Sequence, residues 1–264
     1  MIMKKIISLM LALVMALALV ACGAKDDGNK ALVMGTSADY APYEFMYPND
    51  KGEMVYGGID ISVGQAIADH MGKELQVENM GFDFLLTNMQ NGKCDMVLAA
   101  IEVTDERLLV ADFSDPYYTD LPAMILVKAG DATTYKTLND FAGKKVGAQT
   151  ATTKETIVKE DMAGAELVSL QVVTDMINQL VNGKLDALVL DGAVAMQYAD
   201  ANADLVVAEI SLGDAYPYRV AVKEGDPKGL LESINKSIAK MLADGAMEMF
   251  ISDANAMSVA ALEG

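Results

Sequence analysis

The chain has few of the residues that build metal centres and disulfide frameworks. It contains one histidine, His70, and two cysteines, Cys22 and Cys94, among 264 residues. A single histidine excludes a histidine-based metal cluster and disfavours a catalytic triad that needs histidine. Two cysteines cannot form a disulfide framework, and the apolar surroundings of Cys94 in the sequence are typical of an inert core residue. We therefore expect no metal ion and no cofactor.

Basic residues are scarce as well. The chain has 20 Lys and Arg residues against 38 Asp and Glu residues, so its formal net charge is −18. Nucleic-acid binding needs clustered Lys and Arg to displace counterions from phosphates, and this balance excludes a nucleic-acid partner. With 52% hydrophobic and 22% charged residues, the composition is that of a globular protein. The length suffices for two lobes of roughly a hundred residues each.

An apolar run lies at the N-terminus and is too short for a comfortable membrane span. Lys4 and Lys5 precede residues 6–20, and small residues follow before Cys22. A basic start, an apolar core of about fifteen residues and a small-residue cleavage site predict a signal peptide. The sequence Leu-Val-Ala-Cys at 19–22 also resembles the bacterial lipobox, which implies cleavage before Cys22 and lipidation of its thiol. The alternative is an ordinary signal peptide with an incidental cysteine.

These features predict an exported and anchored protein. Residues 1–21 are the predicted lipoprotein signal peptide, and residues 22–30 are a small, polar tether. Removal of the signal peptide takes away two lysines and no acidic residue, which changes the net charge from −18 to −20. We expect the mature protein to be anchored to the outer face of the cell membrane through lipidated Cys22.

From Ala31 onward, short apolar runs alternate with helical stretches, the pattern of an α/β fold. Residues 32–34 predict a first strand. Residues 59–71 predict a helix, because apolar side chains recur every four positions and a glycine follows as a stop. Residues 84–90 predict a second helix, and residues 94–100 predict a buried strand.

One stretch of sequence occurs twice. Asn-Gly-Lys-Cys-Asp at 91–95 returns as Asn-Gly-Lys-Leu-Asp at 182–186, and the apolar and amide positions on either side agree as well. A helix, a glycine turn and a buried strand thus follow one another twice, which predicts duplicated α/β lobes. Ligands in open α/β sheets sit beyond the carboxyl ends of strands. The two predicted strands end at Ala100 and before Asp191, which makes these positions candidate ligand contacts.

Hydroxyl and charged residues begin two predicted helices. Thr104 caps a helix on which Arg107 can reach an anion, and an arginine fork suits a carboxylate. The alternative for Arg107 is a solvated side chain paired with a nearby acid. Thr152 and Glu155 have capping-box spacing, so Thr153 and the N–H groups of that helix start offer an anion site. The alternative is a box that only starts the helix.

Asp191 and two aromatic residues complete the candidates. Asp191 after a strand end suits an ammonium group, or else it is a turn aspartate before Gly192. Tyr40 and Phe82 lie in predicted loops after strands, where each suits core packing as well as ligand contact. The sequence has no Gly-x-Ser-x-Gly elbow, phosphate loop, Gly-x-Gly-x-x-Gly or His-Glu-x-x-His motif, and we assign no catalytic residue.

Several motifs together resemble those of a known family. They are Gly-Thr and Tyr-Ala-Pro-Tyr-Glu-Phe within 35–45, Gly-Ile-Asp-Ile at 58–61, Thr-Asp-Glu-Arg at 104–107, Asp-Phe-Ser-Asp-Pro-Tyr-Tyr at 112–118, Leu-x-Asp-Phe-x-Gly-Lys-Lys-Val-Gly at 138–147 and Asp-Gly at 244–245. Over nearly all its mature length the chain resembles the extracellular solute-binding proteins of polar amino-acid ABC importers, family 3 type. The resemblance implies a two-lobed periplasmic-binding-protein-like fold. Each lobe would be a central sheet flanked by helices, and two crossing hinge strands would join them.

The resemblance also implies lobe boundaries and a ligand site. Lobe 1 would comprise residues 31–122 and 217–264, and lobe 2 residues 123–216. Arg107 would bind the ligand's α-carboxylate and Asp191 its α-ammonium. The ligand-binding residues implied in all are Ser37, Asp39, Tyr40, Phe82, Ala100, Glu102, Arg107, Thr152, Thr153 and Asp191.

The implied function is capture of a free amino acid between closing lobes and its delivery to an ABC permease in the membrane. We expect a monomer that is not an enzyme. Two other classes remain open: a non-catalytic sensor lobe, and an enzyme on the same fold such as a cyclohexadienyl-dehydratase-like lyase that uses Glu102 as a general acid. Neighbouring permease and ATPase genes would separate the importer from the sensor, and a turnover assay would separate it from the enzyme.

Some positions depart from the family pattern. Glu102 stands where Ser or Thr is usual, and Ser37 where an acid is common. Ala100, Ala151 and Arg219 stand where glycine or another small residue is usual.

Arg107 is one cation that can balance the charge of Glu102 and Lys154 is another, whereas Asp39 and Asp191 add further negative charge nearby. If the Glu102 side chain faces the cleft, its uncompensated charge favours a cationic ligand, namely arginine, lysine or ornithine. If Glu102 contributes only its backbone N–H, the ligand can be any polar amino acid.

Overall fold

A computed structural model describes residues 30–263, with side chains placed up to residue 259. The predicted signal peptide, Cys22 and most of the tether lie outside these residues. The strands of the described part are Ala31–Thr36 (β1), Asp39–Tyr40 (β2), Glu44–Pro48 (β3), Met54–Gly57 (β4), Glu74–Asn79 (β5), Met96–Val97 (β6), Ala111–Thr119 (β7), Met124–Lys128 (β8), Lys145–Gln149 (β9), Glu166–Leu170 (β10), Ala187–Leu190 (β11), Leu205–Val207 (β12) and Pro217–Lys223 (β13).

Its α-helices are Ile59–His70 (α1), Leu85–Gln90 (α2), Asp105–Leu108 (α3), Thr153–Glu160 (α4), Val173–Val181 (α5), Gly192–Ala201 (α6), Leu231–Asp244 (α7) and Ala246–Glu263 (α8). Short 3-10 turns occupy Phe82–Phe84, Ala129–Asp131 and Leu138–Phe141. Within the described residues, no helix is both long and apolar enough to cross a membrane. The same residues hold no group of three or more His, Cys, Asp or Glu side chains arranged to bind a metal ion.

The predicted two-lobed α/β architecture is confirmed. Lobe 1 is built on a sheet with the order β5-β1-β6-β13-β7, in which β1, β5 and β6 are parallel and β13 is antiparallel to its neighbours. Lobe 2 is built on a sheet with the order β10-β9-β11-β8-β12, in which β9, β10 and β11 are parallel and β8 is antiparallel to its neighbours. A small sheet, β2-β3-β4, adds to lobe 1.

The chain passes between the lobes twice, after β7 and before β13, and these two strands pair from Pro217 with Thr119 onward. The predicted lobe boundaries at 122/123 and 216/217 therefore fall in these connections, and we retain them as a proposal. Pairing of the two crossing strands brings the connections side by side, which suits a hinge.

In lobe 1, successive side chains of one segment are buried on opposite faces of the sheet. Met96 and Leu98 are buried in a cluster with side chains of α1, whereas Val97 and Ala99 are buried in a second cluster with side chains of α2. Successive side chains of a strand point to opposite faces, so this short segment anchors a helix on each side. The segment thereby fixes where the residues after it lie.

Helix α1 begins and ends at glycines with left-handed backbone. Gly58 has φ 121°, and a Cβ there would lie 2.1 Å from the Tyr43 carbonyl oxygen. Gly72 has φ 65° and follows the cap residue Met71. Glycine adopts these angles at no steric cost, so the predicted helix is confirmed with its end one residue earlier.

The repeated pentapeptide forms the same structure in both lobes. Its glycines, Gly92 and Gly183, have φ 75° and 69°. Its aspartates accept a hydrogen bond from a strand N–H in each lobe: Asp95 Oδ2 from Val33 N at 2.8 Å, and Asp186 Oδ2 from Lys145 N at 2.8 Å. The acid thus binds the turn to the first of the parallel strands in its own lobe.

Two predicted elements differ in extent. The predicted strand 94–100 is a strand only at Met96–Val97, because the chain bends at Ala100, where φ is 45°. The predicted helix 84–90 is a 3-10 turn followed by α2. Cys94 is free and buried, and burial raises the pKa of its thiol to about 11, which agrees with an inert core residue.

Candidate functional site

A small cavity lies between the lobes, where β6, β9 and β11 end. Its free volume is about 10 Å³, room for roughly one water molecule, because contacts between the lobes fill most of the space. Eight of the ten predicted ligand residues line it, namely Tyr40, Phe82, Ala100, Glu102, Arg107, Thr152, Thr153 and Asp191. Four further residues that were not among the predicted set also line it: Glu44, Ala99, Gln149 and Lys154.

Arg107 projects from the short helix α3 into the space between the lobes. Thr104 caps this helix by accepting a hydrogen bond from Arg107 N at 3.2 Å. The guanidinium donates to the Glu102 carbonyl at 2.7 Å and, across the cleft, to the Ala151 carbonyl at 3.0 Å. It also lies 5.3 Å from the centre of the Phe82 ring. The side chain is buried, so the alternative of a solvated arginine is wrong.

Asp191 closes the opposite side of the cavity. It follows β11 and precedes the first turn of α6. Tyr40 of lobe 1 donates its hydroxyl proton to Asp191 Oδ2 at 2.7 Å, and the Asp191 N–H donates back to the Tyr40 oxygen at 3.0 Å. The Lys154 ammonium lies 2.5 Å from Asp191 Oδ1. The carboxylate is therefore a buried charge at the cleft, and not only a turn residue.

Glu102 turns its side chain into the cleft, where residues of lobe 2 bind it. The Lys154 ammonium lies 3.1 Å from Glu102 Oε1, and the Thr153 hydroxyl donates a short hydrogen bond to Oε2. Burial alone would lower the pKa of the Lys154 ammonium, but the charges of Asp191 and Glu102 outweigh it and raise this pKa. The expectation that Glu102 adds uncompensated charge is wrong, because the two cations Lys154 and Arg107 together match the two acids Glu102 and Asp191.

The start of α4 differs from the predicted capping box. Thr152 donates its hydroxyl proton to the Gln149 carbonyl at 2.6 Å and caps no N–H of the helix. Glu155 does reach back, and accepts from Ala151 N at 3.0 Å. Neither bond of the box forms, because Glu155 reaches the residue before the cap, and the anion that Thr153 binds at this helix start is Glu102 of the other lobe.

Two alanines at the cavity have left-handed backbone. Ala100 has φ 45° and Ala151 has φ 65°. The bend at Ala100 directs its N–H to Asp60 Oδ2 at 2.7 Å, and the bend at Ala151 directs its carbonyl to Arg107. Left-handed backbone costs a residue with a Cβ on the order of 1 kcal/mol, so these two departures from glycine carry strain beside the site.

Ser37 and Asp39 lie beside the cavity and do not line it. Ser37 Oγ lies 3.2 Å from Asp39 Oδ1. Asp39 Oδ2 accepts a hydrogen bond from Val173 N at 2.8 Å, and Val173 begins α5 of lobe 2. Burial raises the pKa of Asp39. Both residues stay predicted ligand contacts, and Asp39 in addition joins the two lobes next to the cavity.

Sequence reasoning missed a pair of buried acids, Glu44 and Asp60. Glu44 lines the cavity, is 1% exposed, and no N–H or hydroxyl of the described residues donates to its Oε2. Its carboxyl group lies beside that of Asp60, whose N–H donates to the carbonyl of Tyr43, the residue before Glu44, at 2.9 Å. Asp60 accepts from Ala100 N and from the Tyr117 hydroxyl, both at 2.7 Å. Both acids lie inside motifs that carried the family resemblance, and that was the signal available for them.

The pKa values of both acids are raised. For Glu44 the cause is first burial and then the charges of Asp60, Asp39 and Asp191. For Asp60 burial raises the pKa to about 6, although the bonds from Ala100 and Tyr117 act in the opposite direction. Two neighbouring carboxyl groups repel each other unless one of them carries a proton, and the donors on both oxygens of Asp60 leave Glu44 to carry it.

Comparison with known proteins gives a consistent result. Residues 32–252 match the bacterial extracellular solute-binding proteins, family 3. The arginine-binding extracellular protein ArtP of Bacillus subtilis is 31% identical over 252 residues, which are 93% of this chain and 96% of ArtP. A crystal structure of the substrate-binding protein AbpA of Streptococcus pneumoniae bound to L-arginine has a TM-score of 0.83 and 36% identity, covering 87% of this chain and 96% of AbpA.

A third match broadens the range of bound ligands. The structure of an ancestral arginine-binding protein bound to glutamine has a TM-score of 0.77 and 34% identity, and covers 85% of this chain and 97% of its own. The match to the family spans most of the chain. The family resemblance is thereby confirmed, and this chain belongs to the bacterial extracellular solute-binding proteins of family 3.

Proposed function

We propose that this protein binds a free cationic amino acid, arginine in the first place, and delivers it to an ABC importer permease. The observation that carries the proposal is the convergence of opposite buried charges on one cavity between the lobes: Arg107 from lobe 1 and Asp191 from lobe 2. A free amino acid presents the complementary pair, an α-carboxylate and an α-ammonium. Buried charges are tolerated when each has a partner, and closure of the lobes over the ligand supplies both.

The assigned roles follow from the donors and acceptors available. Two of the five N–H groups of Arg107 donate to carbonyls, and the others can donate to the α-carboxylate. Thr152 and Ala100 line the cavity, but the Thr152 hydroxyl donates to the Gln149 carbonyl and the Ala100 N–H to Asp60. Arg107 therefore provides the contact with the carboxylate. Asp191 accepts from the α-ammonium, which has to share or replace the contact of Lys154 with Oδ1.

Glu44 indicates that the side chain of the ligand is positively charged. The two cations of the cavity balance Glu102 and Asp191, so Glu102 no longer favours a cation. Glu44 does, because its carboxyl group lines the cavity and lies close to Asp60, Asp39 and Asp191. A guanidinium or ammonium group relieves repulsion among these acids. The arginine-binding relatives support this choice. The ancestral protein bound to glutamine shows that an amino acid with a neutral amide side chain is the alternative ligand to test.

An enzyme on this fold is the less favoured alternative. It would need Glu102 as a general acid, but both carboxylate oxygens of Glu102 are engaged by Lys154 and Thr153. That arrangement leaves neither oxygen for proton transfer to a substrate. The relatives named above are all binding proteins, which supports a non-enzymatic role.

We also propose export and anchoring through lipidated Cys22, supported by the lipobox-like sequence and by a family described as extracellular. The variant Cys22→Ser should block processing and lipid labelling of the mature form. Unchanged labelling in that variant would contradict the anchor. We further propose that the protein acts as a monomer, which size-exclusion chromatography with light scattering tests.

The ligand is tested by a thermal-shift screen of the purified protein against the twenty amino acids, ornithine and citrulline. A ligand that binds only the folded state stabilises it by about 2.7 kcal/mol at a hundred times its dissociation constant. We expect arginine to give the largest shift, followed by lysine and ornithine. A clear shift with glutamate or glutamine, and none with arginine or lysine, would contradict the cationic ligand.

A further inference from the structure

We infer that the cationic side chain of the ligand enters this cavity in exchange for a proton, which is held between Glu44 and Asp60 and leaves the protein on binding. The inference rests on the proposed function, since it needs a ligand with a positive side chain. It adds a feature that the proposed function does not require, namely a coupling between ligand affinity and pH.

The geometry makes Asp60 the ionised member of the pair. Its two oxygens accept hydrogen bonds from Ala100 N and the Tyr117 hydroxyl, both of which stabilise a carboxylate. Glu44 has no such donor at its buried Oε2, and its carboxyl group lies beside that of Asp60, whose N–H donates to the Tyr43 carbonyl. The proton of the pair therefore resides on Glu44, which is the member that lines the ligand cavity.

The other charged groups around Glu44 do not remove this proton. Asp39 and Asp191 are negative and disfavour a second carboxylate. The two cations of the cavity are engaged elsewhere: Lys154 pairs with Asp191 and Glu102, and Arg107 donates to two carbonyls. Burial, like the neighbouring acids, disfavours the ionised form of Glu44. Only a positive charge brought in by the ligand changes the balance.

Exchange then follows from simple electrostatics. A guanidinium beside the pair favours two carboxylates over one, because an opposite charge within a few ångströms stabilises the ionised form. The O–H bond of Glu44 breaks, its proton passes to water, and the ligand's charge takes its place. A neutral side chain of the same shape leaves the pair protonated and releases nothing. The pair thereby discriminates a guanidinium from a urea group.

The sign of the pH dependence follows from linkage. The free protein holds the proton and the complex does not, so affinity for arginine rises with pH wherever the two differ in protonation. The increase reaches tenfold per pH unit if one whole proton is released. The increase in affinity stops above the pH at which the pair is already ionised in the free protein, because no proton is then left to release. Citrulline, in which a neutral urea replaces the guanidinium, should bind with no such dependence.

Titration calorimetry in buffers of different ionisation enthalpy measures the released protons directly. With the unmodified protein at pH 6, 7 and 8, we expect arginine binding to release a fraction of a proton that approaches one, and citrulline binding to release none. Arginine that binds with heats independent of the buffer at all three pH values would overturn the exchange and leave the proposed function standing. A protein that binds glutamine but not arginine would overturn both.

The assignment to Glu44 needs a variant. Glu44→Gln keeps the shape and should abolish proton release, lower arginine affinity at least tenfold at pH 8, and narrow the preference for arginine over citrulline. Glu232→Gln on the exposed end of α7 is the matched control and should behave as the unmodified protein. Undiminished proton release in Glu44→Gln would assign the proton to another group and overturn the inference.

Discussion

The two lobes share one frame and differ in the charges that follow its strands. In each lobe three parallel strands have the same spatial order, and the aspartate of the repeated pentapeptide binds the N–H of the first strand. After the third strand the lobes diverge. Lobe 1 bends at Ala100 and continues to Glu102 and Arg107, whereas lobe 2 passes directly from Leu190 to Asp191 and a helix.

The shared arrangement of parallel strands therefore positions the site, and the segments that follow those strands give its two sides opposite charges. Lobe 1 brings an arginine for a carboxylate, and lobe 2 brings an aspartate for an ammonium. The lobes also bind each other directly, through Tyr40 with Asp191 and Glu102 with Lys154. Closure therefore brings together groups of opposite charge from the protein as well as those of the ligand.

The largest effect is expected from removing either half of the charge pair. Arg107→Ala and Asp191→Ala should each weaken arginine binding by well over tenfold, because loss of one partner of a desolvated charge pair costs on the order of 2–5 kcal/mol. Calorimetry measures the affinity, and circular dichroism checks the fold. Arg219→Ala is the control, since Arg219 donates to the Ser114 carbonyl away from the cavity. Near-normal affinity in either site variant would refute the assigned roles.

The next effect concerns the ion pair between the lobes. Lys154→Met leaves Glu102 without its cation when the lobes close, but open lobes return Glu102 to water. The cost, on the order of 1–3 kcal/mol, should thus appear in ligand affinity and not in the free energy of unfolding of the free protein. The double variant Glu102→Gln with Lys154→Met should recover part of the loss. Denaturant unfolding and calorimetry on the same samples separate the two, and equal losses in both would contradict this account.

A smaller effect should distinguish the two copies of the repeat. Asp95→Ala and Asp186→Ala each remove a hydrogen bond to a strand N–H, but the Asp95 side chain is 10% exposed and the Asp186 side chain 36%. Removal of a buried partner costs about 1–3 kcal/mol, and an exposed one less. We expect denaturant unfolding to show the greater loss for Asp95→Ala. A greater loss for Asp186→Ala would contradict the idea that the exposure of the side chain sets the size of the effect.

The smallest effect should be a gain in stability. Ala100→Gly and Ala151→Gly relieve left-handed backbone at φ 45° and 65°, a benefit of about 1–2 kcal/mol that the extra freedom of glycine in the unfolded chain partly offsets. A rise of about 0.5 kcal/mol in the free energy of unfolding is expected at each position. A loss of stability in both variants would show that neither alanine is strained.

Local sequence predicted the repeated frame and most cavity residues, because both follow from glycine turns and strand ends. It named Lys154 as one of the cations able to balance Glu102 but could not establish the contact, since that contact spans 52 positions and forms only when the lobes meet. Nor did it predict that Glu44 lies beside Asp60, because neither motif indicates which residue its acid contacts in the fold. The strand 94–100 was too long because an apolar run does not distinguish a strand from the bend at Ala100.

The central claim is that the lobes divide the recognition of one cationic amino acid between them, and a crystal structure of the complex with arginine tests it most directly. The account predicts the α-carboxylate within hydrogen-bond distance of the Arg107 guanidinium, the α-ammonium on the Asp191 carboxylate, and the guanidinium of the ligand beside Glu44. A ligand bound in the reverse orientation, with its α-ammonium beside Glu44, or bound outside this cavity, would contradict it.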